Sequence, residues 1–249
     1  MACALAAASA FAVESANTVG YTTQAIAADT YYMIGVQFEN VGGGAITFDD
    51  LITMSGVQAY DDGDEDCAQI LVSEAVGYKY YYYITDAWDA NDKPLNKDAW
   101  AYDGYECTAA DVQALGNGFW FKAPVAASGA TITVKGQVTS DTSKTVSFPA
   151  GEYTIIANPF PVDTCFADVT TSGVTAYDDG DTNCAQILVS EAVGYKYYYY
   201  ITDAWDANDK PLNKDAWGDD GYECVGTSVP AGGSFWIKSG TAGSITFTL

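Results

Sequence analysis

Short runs of alternating apolar and polar residues recur along this chain, and no long stretch repeats its apolar residues every three or four positions. In the segment TITVKG, Ile132 and Val134 share one face of an extended chain, while the threonines share the other. The segment SITFTL alternates in the same way, with Ile245, Phe247 and Leu249 on one side. A two-residue period is typical of half-buried β-strands, so the pattern predicts an all-β protein.

Further segments also have the composition of strands, and turns rich in glycine, aspartate and asparagine separate them. They are QILVSE, GYKYYYYIT, GFWFK and KTVSFPAGEYTII. A part of the chain about 115 residues long would contain seven or eight such strands. This density predicts a β-sandwich with an immunoglobulin-like or jelly-roll-like path.

The chain contains an internal repeat. The segment from Cys67 to Trp100 is identical to that from Cys184 to Trp217 at all 34 positions, an offset of 117 residues. Weaker similarity extends outward, since TYYMIGVQF resembles EYTIIANPF and GFWFK resembles SFWIK. We therefore predict two tandem duplicated β-sandwich domains, residues 17–136 and 137–249, after an apolar segment at residues 1–16. The link between them has few spare residues, so we expect them to lie end to end.

The charge balance excludes several functions. The chain has 33 acidic residues against 10 basic ones, all lysine, and carries a net charge of −23. Such a surface repels phosphate backbones and anionic lipids, so we expect neither nucleic-acid partners nor membrane insertion. Without histidine there is no Ser-His-Asp or Cys-His site. A carboxylate pair of the glycosidase kind remains compatible with the composition, but an active site rarely occurs twice in one chain, and we expect no enzyme.

The cysteines are spaced as in a duplicated disulfide framework. Cys67 and Cys107 recur as Cys184 and Cys224 at the same offset, which predicts one disulfide bond in each repeat, Cys67–Cys107 and Cys184–Cys224. The alternative is four buried thiols. Disulfide bonds are typical of exported proteins, so we expect the chain to be secreted or displayed at the cell surface.

Calcium is the one small ligand that the sequence suggests, and only weakly. Oxygen-bearing side chains alternate in DDGDEDC and in its second copy, at Asp62, Asp64, Asp66, Asp179, Asp181 and Asn183. A cysteine follows where a calcium loop of the EF-hand type has its glycine, and a strand comes next. An acidic turn in water is therefore the preferred interpretation, and no other cofactor is expected. A second acidic cluster, in DAWDANDKPLNKD, is even less specific.

The tyrosine-rich strand offers a candidate contact surface. Tyr78, Tyr80, Tyr82 and Ile84 make one plausible core face, and the opposite face carries Lys79 with the remaining tyrosines. The predicted surface contacts are Tyr81, Tyr83, Trp88, Tyr198, Tyr200 and Trp205. Exposed aromatic residues of this kind suit a sugar-stacking surface or a protein contact. A cross-strand aromatic ladder that only stabilises the sheet is the alternative.

The N-terminal segment MACALAAASAFAVES also alternates. Alanine occupies every even position from 2 to 12, and the odd positions carry Cys3, Leu5, Phe11 and Val13 among others. This pattern predicts a donor strand that inserts into a neighbouring subunit, where Cys3 could form a disulfide bond with Cys165 of the next copy. The alternative is the end of an export signal, with small-residue sites ASA or AFA.

Two classes of function follow. The first is a secreted structural subunit of an extracellular filament or surface assembly that polymerises head to tail through its N-terminal strand. In that class the partner is another copy of the chain. The second is a secreted tandem glycan-binding or adhesin module that uses its tyrosine and tryptophan faces on extracellular glycans. Identical repeats suit both, as a periodic surface in a filament or as a source of avidity in a binding module.

Overall fold

The computed structural model of the chain is nearly all β, which confirms the predicted fold class. It describes residues 19–249 except 42–45, 62–65, 75–76, 109–110, 113–114, 127–129, 179–180, 182, 191–193, 225 and 227. The predicted donor strand, with Cys3, Leu5, Phe11 and Val13, lies outside the described residues. The immunoglobulin-like or jelly-roll-like path stays a prediction.

The N-terminal half contains two antiparallel sheets and one short helix. The elements are β1 (Val19–Ile26), β2 (Tyr31–Gly35), α1 (Phe48–Leu51), β3 (Ile52–Ser55), β4 (Gln69–Ser73), β5 (Tyr78–Ile84), β6 (Ala99–Tyr102), β7 (Tyr105–Glu106), β8 (Gly118–Lys122) and β9 (Ala130–Gln137). The small sheet has the strand order β1-β9-β3, and the large sheet has the order β2-β8-β4-β5-β6-β7.

The C-terminal half repeats this order. Its small sheet is β10-β20-β13, its large sheet is β11-β19-β14-β15-β16-β17, and β12 and β18 form an additional pair. The elements are β10 (Ser143–Phe148), β11 (Thr154–Ala157), β12 (Thr164–Cys165), a 3₁₀ helix (Phe166–Asp168), β13 (Thr170–Ser172), β14 (Gln186–Ser190), β15 (Tyr195–Ile201), β16 (Ala216–Asp219), β17 (Tyr222–Glu223), β18 (Ser228–Val229), β19 (Ser234–Lys238) and β20 (Gly243–Thr248).

In each half the small sheet covers the inner face of the large sheet, and the core lies between them. Ile132 and Val134 of β9 are buried against Phe119 and Phe121 of β8, as the alternating pattern predicts. Phe247 of β20 has the same role in the C-terminal half, where it packs on Phe235. The two-residue period places every second side chain of these strands in the sandwich core. Leu249, which the pattern assigned to the inner face, is instead exposed.

The predicted disulfide bonds are wrong, because the paired cysteines lie on opposite faces of a sheet. Cys67 packs beside Ile84 on the outer face of the large sheet, and its Sγ donates a hydrogen bond to the carbonyl oxygen of Asp61. Cys107 lies in the core between the two sheets. Cys184 and Cys224 are separated in the same way. No disulfide bond joins the described cysteines, and these four are buried, as in the alternative that the sequence left open.

Burial also keeps two of these side chains protonated at neutral pH. It raises the pKa of Cys224 to about 12 and moves the pKa of Cys107 in the same direction. Cys165, predicted to bond with the neighbouring subunit's Cys3, lies beside Cys224 and donates a hydrogen bond from its Sγ to the carbonyl oxygen of that residue at 3.3 Å.

The two halves pack against each other through the outer faces of their large sheets, and not end to end as the short link suggested. Met33 and Trp120 contact a buried cluster of Ile155, Leu188 and Trp236. The indole rings of Trp120 and Trp236, which occupy equivalent positions in the two repeats, lie 5.9 Å apart. The halves therefore share a third apolar cluster between their two cores.

The backbones approach closely at this interface. A Cβ added to Gly35 would lie 2.5 Å from the Cβ of Ala157, its equivalent in the second repeat. One added to Gly118 would lie 2.6 Å from Cγ2 of Ile155. Contacts between equivalent residues are the signature of an isologous, two-fold interface, here formed within one chain.

We expect Trp236→Ala to weaken this interface. The substitution removes a large buried side chain that packs on residues of both halves, so the free energy of unfolding should fall by roughly 3 kcal/mol. Because each half has its own core, thermal unfolding should also divide into two transitions. Calorimetry measures both effects. Trp88→Ala, which removes an exposed indole, is the control, and an unchanged single transition in the Trp236 variant would contradict the packing of the two halves through Trp236.

A buried carboxyl group in the N-terminal half makes stability depend on pH. Asp49, in α1, accepts a hydrogen bond at Oδ1 from the backbone N–H of Trp100, and its Oδ2 is buried with no hydrogen-bond partner among the described residues. Burial raises the pKa of Asp49 to about 6, although the bond from Trp100 opposes the shift. The equivalent position in the second repeat is Ala167.

Asp49→Asn should therefore stabilise the protein at neutral pH. A folded-state pKa above the unfolded value means that the folded chain binds more protons between about pH 4 and pH 6, so stability falls as the pH rises through this range. Removing the charge should add on the order of 1 kcal/mol at pH 7 and much less at pH 4, where the carboxyl group of the folded chain is protonated. Urea unfolding at the two pH values measures the difference, with the exposed Asp168→Asn as the control. An equal effect at both would contradict the pKa shift.

Candidate functional site

The tyrosine strand presents the opposite face from the one that its sequence suggested. Tyr81 and Tyr198, predicted surface contacts, are only 2% and 4% exposed and lie in the two sandwich cores. Tyr83 and Tyr200 are half-buried and pack on Trp100 and Trp217. The exposed tyrosines of the two copies of this strand, β5 and β15, are Tyr78, Tyr80, Tyr195 and Tyr197. Only Trp88 and Trp205, each 45% exposed, lie at the surface as predicted.

A lysine at the edge of the core explains the error. Lys79 shares the inner face with Tyr81, and its ammonium group reaches Asp111 Oδ1 at 2.9 Å while lying over the rings of Tyr81 and Tyr102. A long lysine stem can follow an apolar face and still place its charge at the rim, so lysine does not identify the exposed face. Burial raises the pKa of Tyr81 to about 12, and its hydroxyl donates to the same Asp111 oxygen.

An exposed indole and four carboxylates line a cleft of about 490 Å³ in the N-terminal half. Trp88 is the largest side chain in the cleft, and the other lining residues are Asp61, Ile84, Thr85, Asp86, Asp92, Asp103, Gly104 and Tyr105. Thr85 Oγ1 donates to Asp61 Oδ1 at 3.3 Å, and the Tyr105 hydroxyl donates to Asp92 Oδ1 at 2.7 Å. The cleft thus combines a flat apolar surface, the indole ring of Trp88, with carboxylate groups that accept hydrogen bonds.

Local hydrogen bonds hold Trp88 in place. Its backbone N–H donates to the carbonyl oxygen of Gly104 at 3.0 Å, and its own carbonyl oxygen accepts from Glu106. The loop that follows is closed by Asp89, whose Oδ1 accepts the backbone N–H groups of Asn91 and Lys93. These two bonds lower the pKa of Asp89. The indole is therefore presented by a loop that is ordered by its own side chains.

Turn chemistry places two of the carboxylates. Asp103 and Gly104 have φ values of 52° and 82°, so both residues of the turn between β6 and β7 have positive φ. This backbone is that of a tight hairpin turn for which Asp-Gly is a preferred sequence. Asp86 also has a positive φ of 52° at the end of β5. Aspartate and asparagine tolerate this conformation better than most residues.

The C-terminal half carries the same nine residue types at the equivalent positions. They are Asp178, Ile201, Thr202, Asp203, Trp205, Asp209, Asp220, Gly221 and Tyr222. The hydrogen bonds also recur, since Tyr222 donates to Asp209 at 2.7 Å and Thr202 donates to Asp178 at 3.3 Å. Two of the bonds that hold the indole, from Trp205 to Gly221 and from Glu223 to Trp205, are present as well. Four of the nine positions lie outside the 34-residue identical block.

The first cleft adjoins a groove formed by the exposed tyrosines. Asp103 lines both, and the groove, of about 690 Å³, also contains Tyr78, Tyr80, Tyr82 and Tyr102. At the position of Tyr102 the second repeat has Asp219, which forms an ion pair with Lys196 at 2.8 Å. The surroundings of the two equivalent sets of residues therefore differ beyond Asp103 and Asp220.

The acidic turn suggested as a calcium site is only partly described. Asp62, Asp64 and Asp179 lie outside the described residues, and Asp66 is exposed. Asp181 Oδ1 accepts the backbone N–H and the side-chain amide of Asn183. Within the described part of the chain, no group of three or more His, Cys, Asp or Glu side chains is arranged to hold a metal ion. Calcium binding stays a prediction.

Sequence reasoning identified Trp88 and Trp205 and noted the acidic cluster that contains Asp86 and Asp92, but it did not connect them with Asp61 and Asp103. The signal was present, because the residues on both sides of the identical block, such as Asp61 and the Asp-Gly-Tyr of residues 103–105, are also repeated at an offset of 117.

No family model, curated protein or solved structure matches the chain. No helix among the residues described is both long and apolar enough to cross a membrane.

Proposed function

We propose that the chain is an extracellular module that binds glycans through two equivalent clefts. The observation that carries the proposal is the recurrence of all nine cleft residues, with an exposed tryptophan, in both halves. Duplication alone explains the five positions inside the identical block, but the other four also recur outside it, where neighbouring positions such as Tyr102 and Asp219 differ. An exposed indole also contributes less hydrophobic stabilisation than a buried one, and nearly half of the surface of Trp88 and of Trp205 contacts water.

The chemistry of the clefts suits a sugar. A pyranose ring presents apolar C–H groups on one face, which can stack on a flat exposed indole, and hydroxyl groups around its rim. Ionised carboxylates accept hydrogen bonds and cannot donate them, and O–H donors form short, strong bonds to them. Asp86 and Asp103 stand beside Trp88, where they can receive such hydroxyl groups. The negative charge of the chain disfavours anionic polysaccharides.

Two clefts in one chain increase the apparent affinity for a polymer. After one cleft binds, the second meets the same polysaccharide at a high effective concentration. The packing of Trp120 on Trp236 supports a fixed separation between the clefts, because it joins the large sheets of the two halves. The proposal includes a location outside the cell and no catalytic step. The predicted disulfide bonds are not formed, so the cysteines no longer support a location outside the cell. The support for this location is the proposed polysaccharide ligand.

The double substitution Trp88→Ala and Trp205→Ala tests the proposed function. Loss of the stacking surface should abolish retention on immobilised polysaccharides, and each single variant should retain weak binding through its remaining cleft. Both indoles are exposed, so the melting temperature should change little. Affinity electrophoresis in gels that contain different polysaccharides is the measurement. If no polysaccharide delays the wild-type chain, the proposal fails, and products shorter than the supplied oligosaccharide would show a catalytic activity instead.

A second candidate, a subunit that polymerises into an extracellular filament, is favoured by edge strands of the small sheets. Among the described residues, β1 and β10 each pair with a strand on one side only, so the other side can accept a further strand. On β1, the side chains of Val19 and Tyr21 are exposed. A neighbour's N-terminal segment could add to such an edge and bury Leu5, Phe11 and Val13. Contacts of this kind do not close, so they would generate a filament.

Deletion of residues 1–13 tests the filament. The full chain should elute as high-mass assemblies on a sizing column, and the truncated chain should elute as a monomer with an unchanged melting temperature. The full-length variant Leu5→Asp and Phe11→Asp should behave like the truncation, because buried charges in the added strand are unfavourable. Assemblies formed by the truncated chain would rule out the donor strand.

A further inference from the structure

We propose that the two clefts select glycans that carry protonated amino groups, such as polymers of unacetylated amino sugars. This inference rests on the proposed glycan-binding function and names its ligand class. It follows from the charge of the clefts, the contacts of their carboxylates and the position of the indoles.

The first cleft and the equivalent residues of the second half carry a strong excess of negative charge. Asp61, Asp86, Asp92 and Asp103 line the first cleft, and no lysine among the described residues lines it. None of the ion pairs formed between described residues involves these four aspartates or their equivalents in the second half. The lysines near the tyrosine strand pair elsewhere, Lys79 with Asp111 and Lys196 with Asp219. The cleft charge is thus not balanced by these lysines.

A cationic ligand would balance this charge, and a neutral sugar would not. A neutral ring placed on Trp88 displaces water from carboxylates that then have no counter-charge, which is unfavourable. A protonated amino group can form charge-assisted hydrogen bonds with Asp86 or Asp103. The face of the indole also attracts a cation, more strongly than a phenol or phenyl ring does. Charge complementarity therefore distinguishes an amino sugar from its acetylated form, which has the same ring and no charge.

A cationic peptide is the competing class of ligand, and the cleft favours a sugar over it. The exposed indole is large and flat, and it is accompanied by the hydroxyls of Thr85 and Tyr105, which are held by Asp61 and Asp92. This arrangement suits a ring that bears both hydroxyl and amino groups. A flexible lysine-rich peptide would bind the carboxylates through its charge alone and would gain little from stacking on the flat indole ring.

Two hexasaccharides that differ only in the acetylation of the amino group test the inference. The probes are a hexamer of glucosamine and a hexamer of N-acetylglucosamine, titrated calorimetrically at low salt and mildly acidic pH, where sugar amines are protonated and exposed carboxylates stay ionised. We expect the glucosamine hexamer to bind on the order of tenfold more tightly, and this preference to shrink as salt is added.

Asp→Asn substitutions test whether the aspartates beside the indoles cause the preference for the glucosamine hexamer. The quadruple substitution Asp86→Asn, Asp103→Asn, Asp203→Asn and Asp220→Asn should weaken the glucosamine hexamer by roughly fivefold and leave the acetylated hexamer almost unchanged. Asparagine tolerates the positive φ of these positions, so the turns should keep their shape. The exposed pair Asp141→Asn and Asp168→Asn, which lies outside the clefts, should have no effect on either sugar.

Each other outcome overturns the inference in a recognisable way. Equal or tighter binding of the acetylated hexamer would remove the amino-sugar preference and leave glycan binding intact. Binding of other polysaccharides but of neither hexamer would do the same. If no glycan binds, the proposed function fails as well. Hexalysine that binds as tightly as the glucosamine hexamer, with no loss in the Trp88→Ala and Trp205→Ala variant, would show that the surface is only a polyanion.

Discussion

The contact between Trp120 and Trp236 is the interaction on which the arrangement of this protein depends. Each half has its own core, and the halves meet where the outer faces of their large sheets fit together and where the backbone N–H of Ala157 donates to the carbonyl oxygen of Gly116. Small residues at Gly35 and Ala157 let the backbones approach around the indoles. This packing turns two repeats into one body, and it sets the separation of the two clefts on which bivalent binding would rely.

The outer face of each large sheet has two different parts. The strands β2 and β8, with β11 and β19 of the other half, are covered by the interface. At the other end, β5 and the hairpin of β6 and β7 stay open and carry the exposed tyrosines and the cleft. When both faces of a sheet are apolar, the face that does not pack on the core must contact another part of the protein or stay exposed to solvent. Here the covered part joins the halves and the open part is available for a ligand.

The sequence predicted much of the fold and only part of the site. Alternation in TITVKG and SITFTL identified the strands and most of their buried side chains, because burial on one face imposes a period of two. The same rule failed on the tyrosine strand, where all residues but one are aromatic or apolar and the single lysine reaches the core rim. The cysteine spacing was equally ambiguous, since a repeat duplicates buried thiols as faithfully as it duplicates disulfide bonds.

The sequence by itself determined the all-β class, the repeat and its equivalent positions, because periodicity and identity are properties of the chain. Only the tertiary structure decided which face of the tyrosine strand is buried, on which side of the sheet each cysteine lies, and that Asp61, Asp86 and Asp103 meet beside Trp88. These residues come from separate strands and turns, and the isolated bridges Tyr60–Ile84 and Trp88–Tyr105 bring them together. Sheet register and the packing of one sheet on another involve distant segments, so no local pattern records them.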